Sequence, residues 1–359
     1  MKLKIKAITA GLGLALMASA SPALAKQKVC VFDILGAGGD VFNLSKDYVL
    51  AAKGFGADLE LEAFTDEKIA SENFKTGQCD MLVATSFRTR AYNSVAGSID
   101  ALGAAAVVKD GKVDMPLSYE VVKRTIQLFA GPKADALMTQ GNYQVAGIFP
   151  FGAAYLYVKS RDINSVEKLA GKKIASFDYD SAQKEMISKV GASPVSADIS
   201  NFGAKFNNGS VDIIAAPAAA YKPLELYKGL GTAGAIVRFP VAVLTYQLIV
   251  NKSKFPEGFA QKSRDYWSKK FPAGMQIINN AEKGIPNGAW MDIPAADSVK
   301  YTILLRESRV SLAKGGSYDP KALNIMKQIR CSVNRADSER NRSRCGVRST
   351  GLPCALMSP

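Results

Sequence analysis

Four aspartates stand in loops that follow apolar, strand-like runs. Asp33 and Asp40 come after Val29-Cys30-Val31-Phe32, and Asp178 and Asp180 after Ile174-Ala175-Ser176-Phe177. In open α/β sheets ligands sit beyond the carboxyl ends of the strands, so these loops, with residues 85–90 and 216–221, form the candidate site. Carboxylates crowded into one crevice repel each other unless a cation intervenes. At about 4 Å and an effective dielectric near 20, one ion pair is worth roughly 4 kcal/mol. Such a cluster points to an amine-bearing ligand. The competing reading makes Asp40 and Asp180 helix caps and lets Arg88, Arg90 and Arg238 neutralise the rest. Phe87, Tyr179 and Tyr221 stand on the same loops and offer aromatic faces to an apolar or cationic group. Ser86, Arg88, Pro217 and Arg238 complete the candidate set.

The Gly36-Ala37-Gly38-Gly39 loop invites a phosphate reading, because backbone donors at a helix N-terminus suit an anion. Val41 stands where a dinucleotide fingerprint needs its third glycine, and no P-loop lysine follows. A tight turn is the simpler account, with close backbone approach of Gly38 and Gly39 to a ligand second.

Histidine is absent, which excludes Ser-His-Asp and Cys-His nucleophilic sites and histidine metal ligation. A lone lysine such as Lys173 is more simply a surface residue than a catalytic one. No catalytic residue, metal or cofactor is expected. Five cysteines fit no zinc spacing. In an oxidising compartment a disulfide among the first three is expected, between Cys79 and Cys331, because Cys30 sits in an apolar strand; buried free thiols are the alternative. The net charge of +14 is +8 once the first six residues and the tail after Cys331 are set aside. Its lysines are scattered along helix faces, so a nucleic-acid partner is not expected.

The elements that position these loops alternate. Val29 to Phe32, the period-two run Leu59-Glu60-Leu61-Glu62-Ala63-Phe64, and Met81 to Ala84 read as strands, with helices over 40–53 and 66–74. A helix capped by Ser118 follows, then extended chain over 143–158. Strands at 174–177 and 211–215 with helices at 182–190 and 222–228 repeat the pattern. An apolar stretch over 236–250 returns the chain to its first half, and helices follow near 260–271, 301–312 and 320–330. Phe74-Lys75-Thr76-Gly77-Gln78-Cys79-Asp80 and Phe206-Asn207-Asn208-Gly209-Ser210-Val211-Asp212 share one pattern, Phe, two residues, Gly, two residues, Asp. Gly suits a left-handed helix end and Asp the start of the next strand. The expected fold is α/β and two-lobed, of the periplasmic-binding-protein type II, each lobe a mainly parallel sheet flanked by helices. Hinge strands join the lobes near 146–151 and 239–246.

Lys2, Lys4 and Lys6, the apolar run to Ala20 and Ala23-Leu24-Ala25 lay out a signal peptide over 1–25, cleaved after Ala25, with periplasmic localisation. Residues 26–145 with 250–285 form lobe 1, 146–249 lobe 2, 286–331 C-terminal helices, and 332–359 a disordered tail.

The segments 164–174, 190–195 and 206–212, with Lys222-Pro223-Leu224-Glu225-Leu226-Tyr227-Lys228-Gly229 and Met291-Asp292-Ile293-Pro294, resemble the TRAP-type (DctP-like) periplasmic solute-binding proteins and their AdeT-type relatives over about 28–331. The resemblance implies a monomeric carrier that delivers a small ligand to inner-membrane transporter subunits. It also implies an arginine in the strand after Gly171-Lys172-Lys173, paired with a ligand carboxylate. Here that strand reads Ile174-Ala175-Ser176-Phe177. A component of an RND-type drug (aminoglycoside) efflux system is the alternative, although such adaptors need long heptad hairpins that the sequence lacks.

Overall fold

The computed structural model describes residues 26–337 and 339. The expected signal peptide and its cleavage site, and the tail beyond 339, lie outside the described residues. Eight strands carry the fold: β1 (Gln27–Phe32), β2 (Leu59–Phe64), β3 (Met81–Thr85), β4 (Tyr143–Val158), β5 (Lys173–Phe177), β6 (Ser193–Ala197), β7 (Ile213–Pro217) and β8 (Ala235–Asn251). They form one sheet in the order β2-β1-β3-β8-β4-β7-β5-β6, with two short strands added at its margins. The outer triplets are parallel. The centre is antiparallel, because β4 and β8 are long enough to run through both lobes.

The duplicated motif is a duplicated hydrogen-bond device. Asp80 accepts from the Lys28 N–H at 3.0 Å and donates its own N–H to Lys28 O at 2.8 Å. Asp212 does the same with Lys173, at 2.8 Å each way. Gly77 and Gly209 take φ of 79° and 80° before these aspartates, and Phe74 and Phe206 are buried at the ends of their helices. Each Asp thereby stitches its strand to the start of the parallel neighbour, which fixes register where parallel pairing has no hairpin to set it.

Between the lobes, β4 and β8 pair with register shifts around Pro240 and between Leu244 and Thr245. Gly152 has φ of 114° there. On the lobe-1 side Trp267 stacks on Phe149 at 5.0 Å and lies tilted against Tyr48 at 5.2 Å. A side chain on Gly147 would begin 2.4 Å from that indole, so the close approach requires glycine.

Several expectations need correction. Cys79 is bonded to Cys30 and not to Cys331; β1 and β3 are adjacent, and Cys331 is disulfide-bonded elsewhere. Asp114, not Ser118, caps Met115–Ala130, accepting from Leu117 N at 3.0 Å. Ser118 sits buried inside that helix and accepts from Val107 N at 3.0 Å. The segment 193–197, whose Pro194 argues against a strand, is the edge strand β6, where a missing donor costs least. A separate helix, Phe271–Lys283, starts afresh at Pro272. Helical structure continues past 331 to Val333, and Asp337 and Glu339 pair with the buried Arg330 and Arg309 at 2.7 and 2.6 Å. The start of the expected disordered tail is therefore packed against the body.

Candidate functional site

The strand ends of both lobes meet around one cleft. Phe32 ends β1 and Ile34 follows it, Thr85 ends β3 and Phe87 follows it, Phe177 ends β5, and Pro217 ends β7; all line it. Tyr246 comes from β8, and Tyr301, Leu304 and Leu305 from the long helix Ala295–Lys314. The cavity volume is about 90 Å³. Its wall is built of aromatic pairs: Phe87 of lobe 1 meets Phe177 of lobe 2 edge-on at 5.7 Å, and Phe151 meets Tyr246 edge-on at 4.6 Å. Among the described residues no lysine or arginine lines it.

Two arginines lie beside the cavity and join the lobes. Arg88, in the short helix Ser86–Thr89 after β3, places its guanidinium 3.4 Å above the ring of Tyr179 from the other lobe. It also lies 3.5 Å from Asp198, which follows β6, and 3.9 Å from Glu67 of its own lobe. Tyr179 donates its hydroxyl back to Glu67 at 3.3 Å. Arg90 pairs with Asp180 across the same boundary at 3.6 Å and lies over the ring of Tyr318 at 4.9 Å. Three residues, Tyr179, Asp198 and Glu67, thus interlock around Arg88, and a second clasp forms at Arg90.

Two acids here were not singled out from sequence. Burial pushes Glu67 up to about 7 against the opposing pull of the Thr85 hydrogen bonds and Arg88. Burial likewise pushes Asp100 up to about 7, against hydrogen bonds from Ser86 and from the Thr245 hydroxyl and N–H. In the folded chain both acids keep protons that the unfolded chain has released. Their contribution to stability is therefore full below pH 4 and lost as pH rises through 7. Thermal melts between pH 5 and 8 should show stability falling with pH, and Glu67→Gln should remove about 2 kcal/mol of that decline. A decline that is the same in the variant would contradict the assignment.

The expected carboxylate cluster does not form. Asp33 is buried and spends both oxygens on the chain, accepting from Leu35 N at 2.9 Å and from Val41 and Phe42 N at 2.9 and 3.2 Å. It caps the helix Asp40–Gly54 from outside, and a side chain on Gly39 would collide with it at 1.9 Å. The glycine loop is thus a turn built for that cap, with Gly38 exposed. Asp40 is exposed in the first helical turn. Asp178 is exposed and taken up by Ser196 at 2.8 Å and Lys184 at 3.9 Å. Asp180 caps Ser181–Lys189, faces Arg90 and lines the cleft.

Of the other candidates, Phe87 and Pro217 line the cleft and Ser86 lies buried behind it on Asp100. Arg88 and Tyr179 form the clasp. Two are elsewhere: Tyr221 packs on Tyr157 and borders a separate hollow with Arg161, and Arg238 pairs with Asp292 at 3.0 Å over Trp290. Sequence offered no signal for Glu67, Asp100 or Asp198, because an acid's burial depends on neighbours far along the chain, as Asp100 does on Thr245.

Residues 50–343 match the family model described as solute-binding protein AdeT 1/2. The chain is 43% identical over 309 residues, 86% of its own length and 98% of the relative's, to a protein described as probable solute-binding protein AdeT1 from Acinetobacter baumannii. Among solved structures it is similar to a TRAP periplasmic solute-binding protein from Desulfovibrio salexigens with bound orotic acid, at a TM-score of 0.67 and 14% identity, covering 86% of this chain and 99% of that one. A TRAP protein from Bradyrhizobium sp. with bound galacturonate gives a TM-score of 0.66 at 14% identity, with 85% and 99% covered. At such identities the structural likeness carries the fold, a two-lobed type II architecture.

Proposed function

The chain belongs to the AdeT1/2 family of solute-binding proteins, non-enzymatic carriers, and from that premise we propose that it captures one small ligand in the apolar cleft between its lobes and presents the closed complex to subunits of a membrane transporter. The observation that carries this reading is a cavity walled by strand ends of both lobes, so that a ligand touching Phe87 also touches Phe177. Closure would rotate the lobes about the irregular stretch of β4 and β8 near Gly152 and Pro240. Phe87, Asp180 and Pro217 remain as proposed ligand-contacting residues, joined by Phe177 and Tyr246. Periplasmic localisation is the setting in which this carrier would work, and no helix of the described residues is long and apolar enough to cross a membrane.

The amine-bearing ligand is not part of the proposal, because Asp33, Asp40, Asp178 and Asp180 do not converge and three are committed to protein partners. Nor does the fold favour an efflux adaptor. The test is a substitution that fills the cleft. Ala175 lines it from β5 and is only partly buried, so Ala175→Phe should fit with little strain on the core while occupying ligand space. Native mass spectrometry of the mature protein isolated from its own envelope should show a co-purified small molecule on wild type. Ala175→Phe should retain at least about tenfold less of it, the scale of losing one or two buried contacts. Equal retention in both would place the ligand elsewhere.

A further inference from the structure

We infer that the ligand of this cleft is an uncharged, largely apolar molecule carrying one hydrogen-bonding group, and not a small carboxylic acid. This rests on the cleft being the binding site. The lining is a wall of phenylalanine, tyrosine and aliphatic side chains, without a lysine or arginine among the described residues. Its two acids are both aspartates, and both are already engaged. Asp100 accepts from Ser86 and twice from Thr245, and Asp180 accepts from Ala182 N and Gln183 N at 3.0 and 3.3 Å and faces Arg90.

The two arginines close by, Arg88 and Arg90, do not line the cleft: Arg88 lies over Tyr179 with Asp198 at 3.5 Å, and Arg90 lies over Tyr318 with Asp180 at 3.6 Å. A carboxylate entering this space would lose its hydration and meet aspartates with no lysine or arginine in the lining to pair with, which is unfavourable. An apolar body gains from the same wall. Tyr301 supplies the polar point: it lines the cleft, and its buried hydroxyl has no partner among the described residues.

The experiment compares two molecules with one ring system. The mature chain is titrated calorimetrically with 1-naphthalenemethanol and with 1-naphthoate, then with orotate and galacturonate, using wild type and Ala175→Phe. The expected result is that the alcohol binds wild type at least about tenfold more tightly than any of the acids, the cost of stranding one charge, and that Ala175→Phe weakens it. An acid that binds as tightly as the alcohol, and is weakened by Ala175→Phe, overturns the ligand class while leaving the cleft as the site. Binding of the alcohol that ignores Ala175→Phe overturns the site and the inference together. No binding of the alcohol also overturns the ligand class.

Discussion

The double variant Cys30→Ala with Cys79→Ala should unfold with about 4 kcal/mol less stability than the oxidised wild type. The bridge closes a loop with a sequence separation of 49, and chain-entropy arguments assign a crosslink of that span roughly 4 kcal/mol. That loop holds β2 and the helices Asp40–Gly54 and Glu67–Lys75. Both cysteines are buried, so alanine also leaves small voids, which adds to the loss. Urea unfolding of both proteins, oxidised, reads the difference directly. Non-reducing peptide mapping should recover a peptide linking Cys30 to Cys79. A loss below about 1 kcal/mol, or a map linking Cys79 to another cysteine, would show that the bridge does not hold this lobe.

The same bridge marks where sequence reading stops. Cys30 was legible as a buried strand residue, and that made it look like a core thiol. What made it a partner for Cys79 was the pairing of β1 beside β3, and parallel pairing is not written in local periodicity. The fold itself was open to reading because it rests on repeated local devices. Strand and helix alternate in both halves, and the Phe-Gly-Asp string recurs because each copy ends a helix and ties a strand in the same way. Capping was half legible: Asp180 caps its own helix as a local acceptor should, whereas Asp33 caps a helix starting at residue 40 from the far side of a turn. For the site, the strand-end rule located the right loops, and then charge misled. Loop aspartates suggested a cationic ligand, yet the structure uses them as caps and surface pairs. The buried acids at and beside the cleft, Asp100 and Glu67, looked like ordinary loop and helix acids.

Arg88→Ala should weaken capture of 1-naphthalenemethanol about a hundredfold although Arg88 is not part of the cavity wall. Its guanidinium joins Tyr179 and Asp198 of one lobe to Glu67 of the other. Alanine leaves Asp198 without its partner across the boundary and Tyr179 without its stacked cation, and it pushes the buried Glu67 further toward its protonated form. Removing one member of such a buried network costs roughly 3 kcal/mol. The part of that cost borne only by the closed form shifts the lobes toward opening. A ligand that needs the closed form must then supply the difference, and about 2.7 kcal/mol is a hundredfold in affinity. Arg88→Lys should fall between, since it restores charge but not the flat stack on Tyr179. Two readouts separate closure from general damage. Small-angle scattering should show a larger radius of gyration for Arg88→Ala than for wild type with ligand present, and Ala175→Phe, which blocks the site without touching the clasp, should not match it. An Arg88→Ala protein that binds within twofold of wild type would mean that the lobes are held shut by the aromatic wall, with the ion pairs only decorating its edge.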